Sequence, residues 1–130
     1  MDSQTLQTKN RTQDGVRYDL DSRTLMFARN VRIFVKKLPR TLANLEDGKQ
    51  LIRSSGSVGA NYLEANESLS KKDFLLRIKI CRKESRESRY WLELIESDNS
   101  SLEIEQNKLI QEARELTMIF NAIIINSNKV

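Results

Sequence analysis

The sequence has no histidine and only one cysteine, Cys81. Histidine is the commonest metal ligand and the commonest general base near neutral pH, and a single thiolate offers no zinc-site spacing. We therefore predict a protein that is not an enzyme, with no catalytic residue, no metal and no cofactor. Because one cysteine cannot form an internal disulfide, the composition also favours a reducing, cytoplasmic location.

Residues that interrupt helices are equally scarce, with one proline and four glycines in 130 residues. No segment shows the alternation of a strand, so we predict the all-α class. No apolar run approaches the length of a membrane span, and we expect no membrane partner. Charged residues make up 31% of the chain and aromatic residues 6%, a balance typical of amphipathic helices with solvated outer faces.

The spacing of apolar residues predicts four helices, at about 22–38, 44–67, 71–97 and 102–126. Residues 1–17 are polar and lack periodicity, so we expect a flexible leader and not a signal peptide. Residues 18–130 then form the helical domain. We interpret the second and third helices as a long antiparallel hairpin that turns near Leu69 and Ser70.

Short polar side chains mark the expected helix starts, because their oxygens accept free backbone N–H groups of the first turn. We predict that Asp21 or Ser22 caps the first helix, that Asn44 caps the second, and that Ser70 and Asp73 form a capping box on the third. Pro39 ends the first helix, since proline disfavours the α conformation of the preceding residue.

Each predicted helix carries a row that indicates its buried face, with steps of three and four in the first, third and fourth helices and steps of seven and four in the second. The rows are Phe27, Val31, Phe34 and Leu38; Leu45, Ile52, Gly59 and Leu63; Phe74, Ile78, Cys81, Ser85, Ser88, Leu92 and Ile95; and Leu109, Ala113, Leu116, Phe120 and Ile123. We expect Cys81 to be a small buried residue and not a nucleophile.

The third helix has a second row, centred roughly 110° around the helix from the first. Its members are Leu76, Ile80, Glu84, Glu87, Trp91 and Leu94. Both rows together cover more circumference than one packed face needs. One row therefore requires another helix of this chain or another subunit, and the candidate oligomer interface consists of Leu76, Ile80, Trp91 and Leu94. Trp91 is either a core residue or an oligomer anchor.

The segment SSGSVGAN, at residues 54–61, places two glycines inside a helical pattern. One interpretation is a phosphate-cradling loop or a GxxG turn. The other is a helix whose small residues let a neighbouring backbone approach closely. We favour the helix, because no strand precedes the segment and no Lys-Ser or Lys-Thr pair follows its second glycine.

Basic residues cluster on two predicted helices. From Asp21 to Arg40 there are six basic residues and one acidic residue, and from Lys71 to Arg89 there are eight and three, so each stretch carries a charge of +5. The candidate nucleic-acid-binding residues are Arg29, Arg32, Lys36, Lys79, Arg82, Lys83, Arg86 and Arg89. These rows are either solvated faces or phosphate-binding ridges, and Tyr90 is the one aromatic residue among the charges.

The best candidates for an unrecognised active site are two pairs of acidic residues, Glu64 with Glu67 and Glu84 with Glu87. Such pairs on facing helices build di-iron sites, but those sites also need histidine. In an antiparallel hairpin the two pairs would also lie about 14 Å apart along the axis. We therefore predict a structural ion pair between Arg53 and the acids Glu84 and Glu87.

Two segments carry a family resemblance: QLIRSSGSVGANYLEANE and DFLLRIKICRKESRESRYWLELI. From about Tyr18 to Asn126 the chain resembles the bacterial four-helix-bundle family first noted as proteins encoded in intervening sequences of 23S ribosomal RNA genes. The resemblance implies an up-down-up-down bundle that assembles into a ring-like homopentamer. The chain is also similar to the accessory protein of diversity-generating retroelements, a basic pentamer that works with a reverse transcriptase and nucleic acid. No catalytic residue is implied.

The sequence thus supports three hypotheses about function. The leading one is a non-enzymatic homo-oligomeric scaffold that binds RNA or DNA through phosphates, without base specificity. The rival is a protein-interaction adaptor, for example a partner of a reverse transcriptase, that does not touch nucleic acid. An enzyme is the third, and the sequence shows no base, metal cluster or substrate pocket that would support it.

Overall fold

The computed structural model describes residues 19–128, and over that range it contains four helices and no strand. The helices are α1 (Leu20–Lys36), α2 (Leu42–Asn66), α3 (Lys71–Leu94) and α4 (Ser100–Asn128). The all-α class predicted from the sequence is confirmed for this part of the chain. The expected leader, residues 1–17, lies outside the described residues, as does Tyr18.

The start of α1 differs from the sequence prediction. Asp19 caps the helix, and its extended backbone lets the side chain accept the N–H of Asp21 at 3.0 Å. The assignment of the cap to Asp21 or Ser22 was therefore wrong, because both residues lie inside the first turn. At the start of α3 the prediction is confirmed, since Ser70 Oγ accepts the N–H of Asp73 at 3.1 Å.

Asn44 was predicted to cap α2, and this prediction was wrong. Its side chain instead connects two ends of the fold through hydrogen bonds. Thr41 caps the helix by accepting the N–H of Asn44 at 3.1 Å. The buried Asn44 amide donates to the carbonyls of Pro39 and Glu96, and its Oδ1 accepts the N–H of Glu96 at 3.1 Å. Asn44 thereby ties the α1–α2 connection to the chain that leaves α3.

The packing pattern of the helices is consistent with a four-helix bundle. α1 packs against α2 and α4, and α3 packs against the same two helices. Contacting pairs are Arg23 with Glu112 and Lys37 with Glu105 (α1 and α4), Ser54 with Ser88 and Arg77 with Asn61 (α2 and α3), and Gln106 with Leu92 and Arg82 with Asn121 (α3 and α4). In each of these three pairs of helices, the residue numbers increase along one helix as they decrease along the other.

The core lies on the faces predicted for α1, α3 and α4. Every member of the α1 row is buried, and in α3 every member of the first row is buried except Phe74, which is partly buried. In α4 the row is buried through Phe120, after which Ile124 takes the core position and Ile123 is partly buried. Burial of these aliphatic and aromatic side chains contributes roughly 1.5–3 kcal/mol each.

The predicted buried row of α2 was wrong at Leu45 and Leu63, whereas Ile52 is partly buried against the core and Gly59 lies close to α1. Leu45 and Leu63 are exposed, the latter to 57%, while the buried apolar residues of this helix are Leu51, Val58, Tyr62 and Ala65. The buried face of α2 is rotated relative to the predicted row because Ser54 and Ser55, and not aliphatic residues, occupy core positions. Ser54 Oγ lies 2.9 Å from Ser88 Oγ, so small hydroxyl side chains bring α2 and α3 close together.

The segment 54–61 is helical throughout, which confirms the close-packed helix and excludes the phosphate loop. A Cβ added at Gly59 would lie 2.9 Å from Thr24 Oγ1, a separation that side-chain carbons do not tolerate. Thr24 is buried and its hydroxyl donates to the carbonyl of Leu20 at 2.7 Å, so it has little room to move. Gly59 therefore sets how closely α2 approaches α1.

We expect the two glycines to respond oppositely to alanine. Gly56→Ala should raise the free energy of unfolding by about 0.5–1 kcal/mol, since alanine favours the helix and the new Cβ meets only Arg32 Nη2, at 3.6 Å. Gly59→Ala should lower it by about 1–2 kcal/mol because overpacking against Thr24 outweighs that gain. Urea denaturation of both variants measures the difference, and two variants of equal stability would contradict the close approach.

Candidate functional site

A basic groove runs between α3 and α4 and encloses about 500 Å³. We call it the α3–α4 groove, and its lining residues are Lys79, Arg82, Lys83, Arg86, Glu87, Arg89, Tyr90, Glu93 and Thr117. Five of the nine carry a positive charge. Lys79, Lys83, Arg86 and Arg89 recur along α3 at steps of four or three, and Arg82 adjoins Lys83, so each helical turn presents at least one cation to the groove.

The five cations differ in their internal partners. Lys79, Lys83 and Arg86 are exposed and form no hydrogen bond or ion pair with any described residue. Arg82 donates to Asn121 Oδ1 on α4 at 2.7 Å, and Arg89 lies 3.6 Å from a Glu93 carboxylate oxygen. Three cations can therefore meet an anion without first breaking a contact, while two are held in place by their neighbours.

The acids of the groove are already engaged. Glu93 pairs with Arg89 and, at 3.7 Å, with Arg114 of α4. Glu87 lies 3.2 Å from Arg53 Nη2 on α2. Because each carboxylate has a cation beside it, the field in the groove is set by the remaining positive charges.

Tyr90 stands at the edge of the groove with 56% of its surface exposed. Its ring centre lies 5.0 Å from that of Trp91, and the two planes meet at 74° in an edge-to-face arrangement. Trp91 is half-buried and packs against the core. The Tyr90 ring thus contacts Trp91 while more than half of its surface faces solvent.

The groove continues into a second, mostly apolar depression of about 360 Å³. Its lining residues are Arg82, Arg86, Thr117, Met118, Asn121, Ala122 and Ile125. Sequence reasoning missed this α4 wall. Its signal was present in the spacing 118, 121, 122 and 125, which places these residues on one side of the helix, beside the core row.

The basic residues predicted on α1 lie elsewhere. Arg29, Arg32 and Lys36 are exposed, and none of them lines the α3–α4 groove. Arg32 donates to the carbonyl of Ala28 on its own helix. Because α1 and α3 pack against the same two helices, they lie diagonally, and the predicted cations form two separate surfaces.

The second row of α3 faces the α2 side of the molecule. Leu76 and Leu94 are exposed, whereas Ile80 and Trp91 are half-buried. Of the acids predicted to pair with Arg53, Glu87 lies 3.2 Å from the guanidinium, and Glu84 forms no ion pair within the described residues.

Glu84 is unusual because it is a carboxyl group with only 7% of its surface exposed. Its Oε1 has no hydrogen-bond partner among residues 19–128, and the same holds for the buried Nε1 of Trp91. Burial, assisted by the neighbouring Glu87 carboxylate, raises the pKa of Glu84 above its ordinary value. Both polar atoms lie on the row for which the sequence required an additional partner.

Cys81 is buried between α2 and α3, where its thiol donates to the carbonyl of Val58 at 3.4 Å. Burial raises the pKa of this thiol to about 12. Over residues 19–128, no group of histidine, cysteine, aspartate and glutamate could hold a metal ion. The helices of that range also include none long and apolar enough to cross a membrane.

Comparisons with known proteins place this geometry in a family. A search of curated proteins gave no match. A crystal structure of a protein of unknown function from the S23 ribosomal protein family of Bacteroides thetaiotaomicron VPI-5482 is similar, with 29% identity and a TM-score of 0.66 over 80% of this chain and 96% of the other. The family model described as 23S rRNA-intervening sequence protein matches residues 19–122. Since that match covers all but the last turns of the bundle, the chain belongs to the 23S rRNA-intervening sequence protein family.

Proposed function

We propose that this protein is a non-enzymatic, homo-oligomeric helical scaffold that binds nucleic acid through its phosphates, without base specificity. The observation that carries the proposal is the set of three exposed cations in the α3–α4 groove, Lys79, Lys83 and Arg86, which form no hydrogen bond or ion pair with the described residues. Phosphate neutralisation by such cations releases counterions from the polymer, which is the main source of non-specific affinity.

The arrangement of charges in the groove favours a chain of phosphates over a single small anion. The cations form a row along α3, which suits a polymer with regularly spaced charges. Arg82 is positioned by its hydrogen bond to the neutral Asn121, so it adds an oriented charge at little entropic cost.

The test is a titration of labelled RNA and DNA at two salt concentrations. Affinity should be measurable at about 50 mM salt and should fall by a factor of ten or more at about 200 mM, because each phosphate contact adds to the salt dependence. Absence of binding to both polymers at the lower concentration would remove the proposal.

We infer that the bundle has up-down-up-down topology and assembles as a homopentamer. The opposite running of residue numbers across each helix couple supports the topology. The assembly is supported by the exposed Leu76 and Leu94, apolar side chains on the second row of α3 that a neighbouring copy would cover. A ring of copies would also repeat the basic groove and strengthen its field.

We expect light scattering to report about five times the 15.1 kDa chain mass. The double variant Leu76→Glu and Leu94→Glu should dissociate the assembly because it places charges in an apolar contact. Leu69→Glu is the matched control, since Leu69 is fully exposed in the α2–α3 turn and should leave the mass unchanged. A monomer at micromolar concentration in the unmodified protein would refute the oligomer.

A second candidate function is a protein adaptor, for example a partner of a reverse transcriptase. The exposed apolar residues Met118 and Ile125 favour it, because they adjoin the cations and could receive an acidic, amphipathic protein segment. Partners that stay bound to the purified protein after nuclease treatment would support this function over direct nucleic-acid binding.

A further inference from the structure

We propose that the α3–α4 groove takes a single-stranded nucleic-acid segment, whose phosphates meet the α3 cations while its bases stack on Tyr90 and lie against Met118 and Ile125. The inference rests on the nucleic-acid binding proposed above and specifies which form of the polymer the groove accepts. The inference rests on the charged, aromatic and apolar side chains that line the α3–α4 groove and the adjoining apolar depression.

Tyr90 has the properties of a stacking platform. The ring is more than half exposed, and its contact with Trp91 at 5.0 Å holds it from one side. Arg86 and Arg89 line the groove beside it. Bases of single strands stack on aromatic side chains, often flanked by cations that hold the backbone, and this mode tolerates any base.

The apolar depression is continuous with the α3–α4 groove. Arg82, Arg86 and Thr117 line both parts, so a polymer that follows the α3 cations passes directly over Met118 and Ile125. Both side chains are about half exposed or more. The flat faces of unpaired bases can cover such apolar surface, and removing it from water favours the complex.

A duplex fits this surface less well. Its bases are stacked inside, and its outer surface offers phosphates and sugars, so Met118, Ile125 and the face of Tyr90 would have only charged or polar groups to meet. A duplex could still contact the exposed Lys79, Lys83 and Arg86, but it would gain nothing from the apolar part. The groove therefore prefers the single strand at equal numbers of phosphate contacts.

The inference is tested with fluorescence anisotropy, using the full-length protein. The probes are an oligothymidylate of about 20 nucleotides and a duplex DNA of the same length. Tyr90→Ala should weaken binding of the single strand about five-fold or more, Tyr90→Phe should restore it, and neither should change duplex affinity. Circular dichroism and light scattering establish that both variants keep the fold and assembly of the parent.

The outcomes separate the two proposals. If neither these DNA probes nor single-stranded and duplex RNA of the same length bind at about 50 mM salt, the proposed function fails and this inference fails with it. If both probes bind but Tyr90→Ala leaves the single strand unaffected, or weakens both probes equally, nucleic-acid binding stands and the single-strand inference is overturned. Poly-glutamate serves as a polyanion control, and equally tight binding of it, with the same dependence on Tyr90, would overturn the inference in favour of an acidic protein segment.

Discussion

Replacing Lys79, Lys83 and Arg86 together with alanine should weaken nucleic-acid binding by roughly a hundredfold or more at about 50 mM salt. All three side chains are exposed and form no hydrogen bond or ion pair with residues 19–128, and only Lys83 acts on a buried charge, that of Glu84, so their removal should change stability little. The salt dependence should fall as well. The slope of log affinity against log salt should decrease by about 2 for a single strand, since each lost phosphate contact contributes about 0.7.

The matched control removes the same charge from another part of the molecule. Arg40, Lys49 and Lys108 are exposed and do not line the α3–α4 groove. Their triple alanine variant should bind within a few-fold of the parent protein. If both triple variants lose affinity equally, binding depends on overall charge, and the groove has no special role. Anisotropy titrations across a series of salt concentrations supply both the affinity and the slope.

Asn44→Ala should lower the free energy of unfolding by about 2–4 kcal/mol. The asparagine makes three hydrogen bonds with main-chain groups, and the substitution leaves the N–H and carbonyl of Glu96 and the carbonyl of Pro39 without their partner. The main-chain groups left behind are part-buried, so each lost bond costs about what a hydrogen bond contributes, roughly 0.5–1.5 kcal/mol. Urea denaturation at fixed protein concentration measures the change.

Thr41→Ala is the appropriate comparison for that experiment. It removes the cap of α2, a single hydrogen bond at an exposed residue, and should cost about 1 kcal/mol. Were Asn44→Ala no more harmful than Thr41→Ala, the link between the α1–α2 connection and the end of α3 would contribute nothing to stability.

The parts of the fold that followed from the sequence are those with strong apolar periodicity. In α1 and α3 the aliphatic and aromatic rows dominate burial, so a step of three or four identified the core face. In α2 the same reasoning was wrong because Ser54 and Ser55 take core positions, and serine carries no hydrophobic signal. The caps of α1 and α2 were misplaced because several short polar residues compete near each start, and only the backbone conformation decides between them.

The candidate site was predictable only on one side. The α3 cations follow a helical repeat, and the structure brings all five of them into one groove. For the α4 wall, the spacing within the helix places Met118, Asn121, Ala122 and Ile125 on one side. Which helix that side faces was not predictable, since the pairing of helix faces is a tertiary property. Nor did the sequence indicate that Glu84 is buried, because a glutamate on a helix is normally solvated.

The reactivity of the buried Cys81 thiol reports on local opening of the helix bundle. An alkylating reagent needs both access to the sulfur and a thiolate, and the contact with the Val58 carbonyl denies access as long as α2 and α3 stay together. Modification therefore proceeds through transient separation of these two helices, at a rate that reflects the free energy of that opening. Because the chain has a single cysteine, the labelling kinetics report on this one seam and on no other part of the protein.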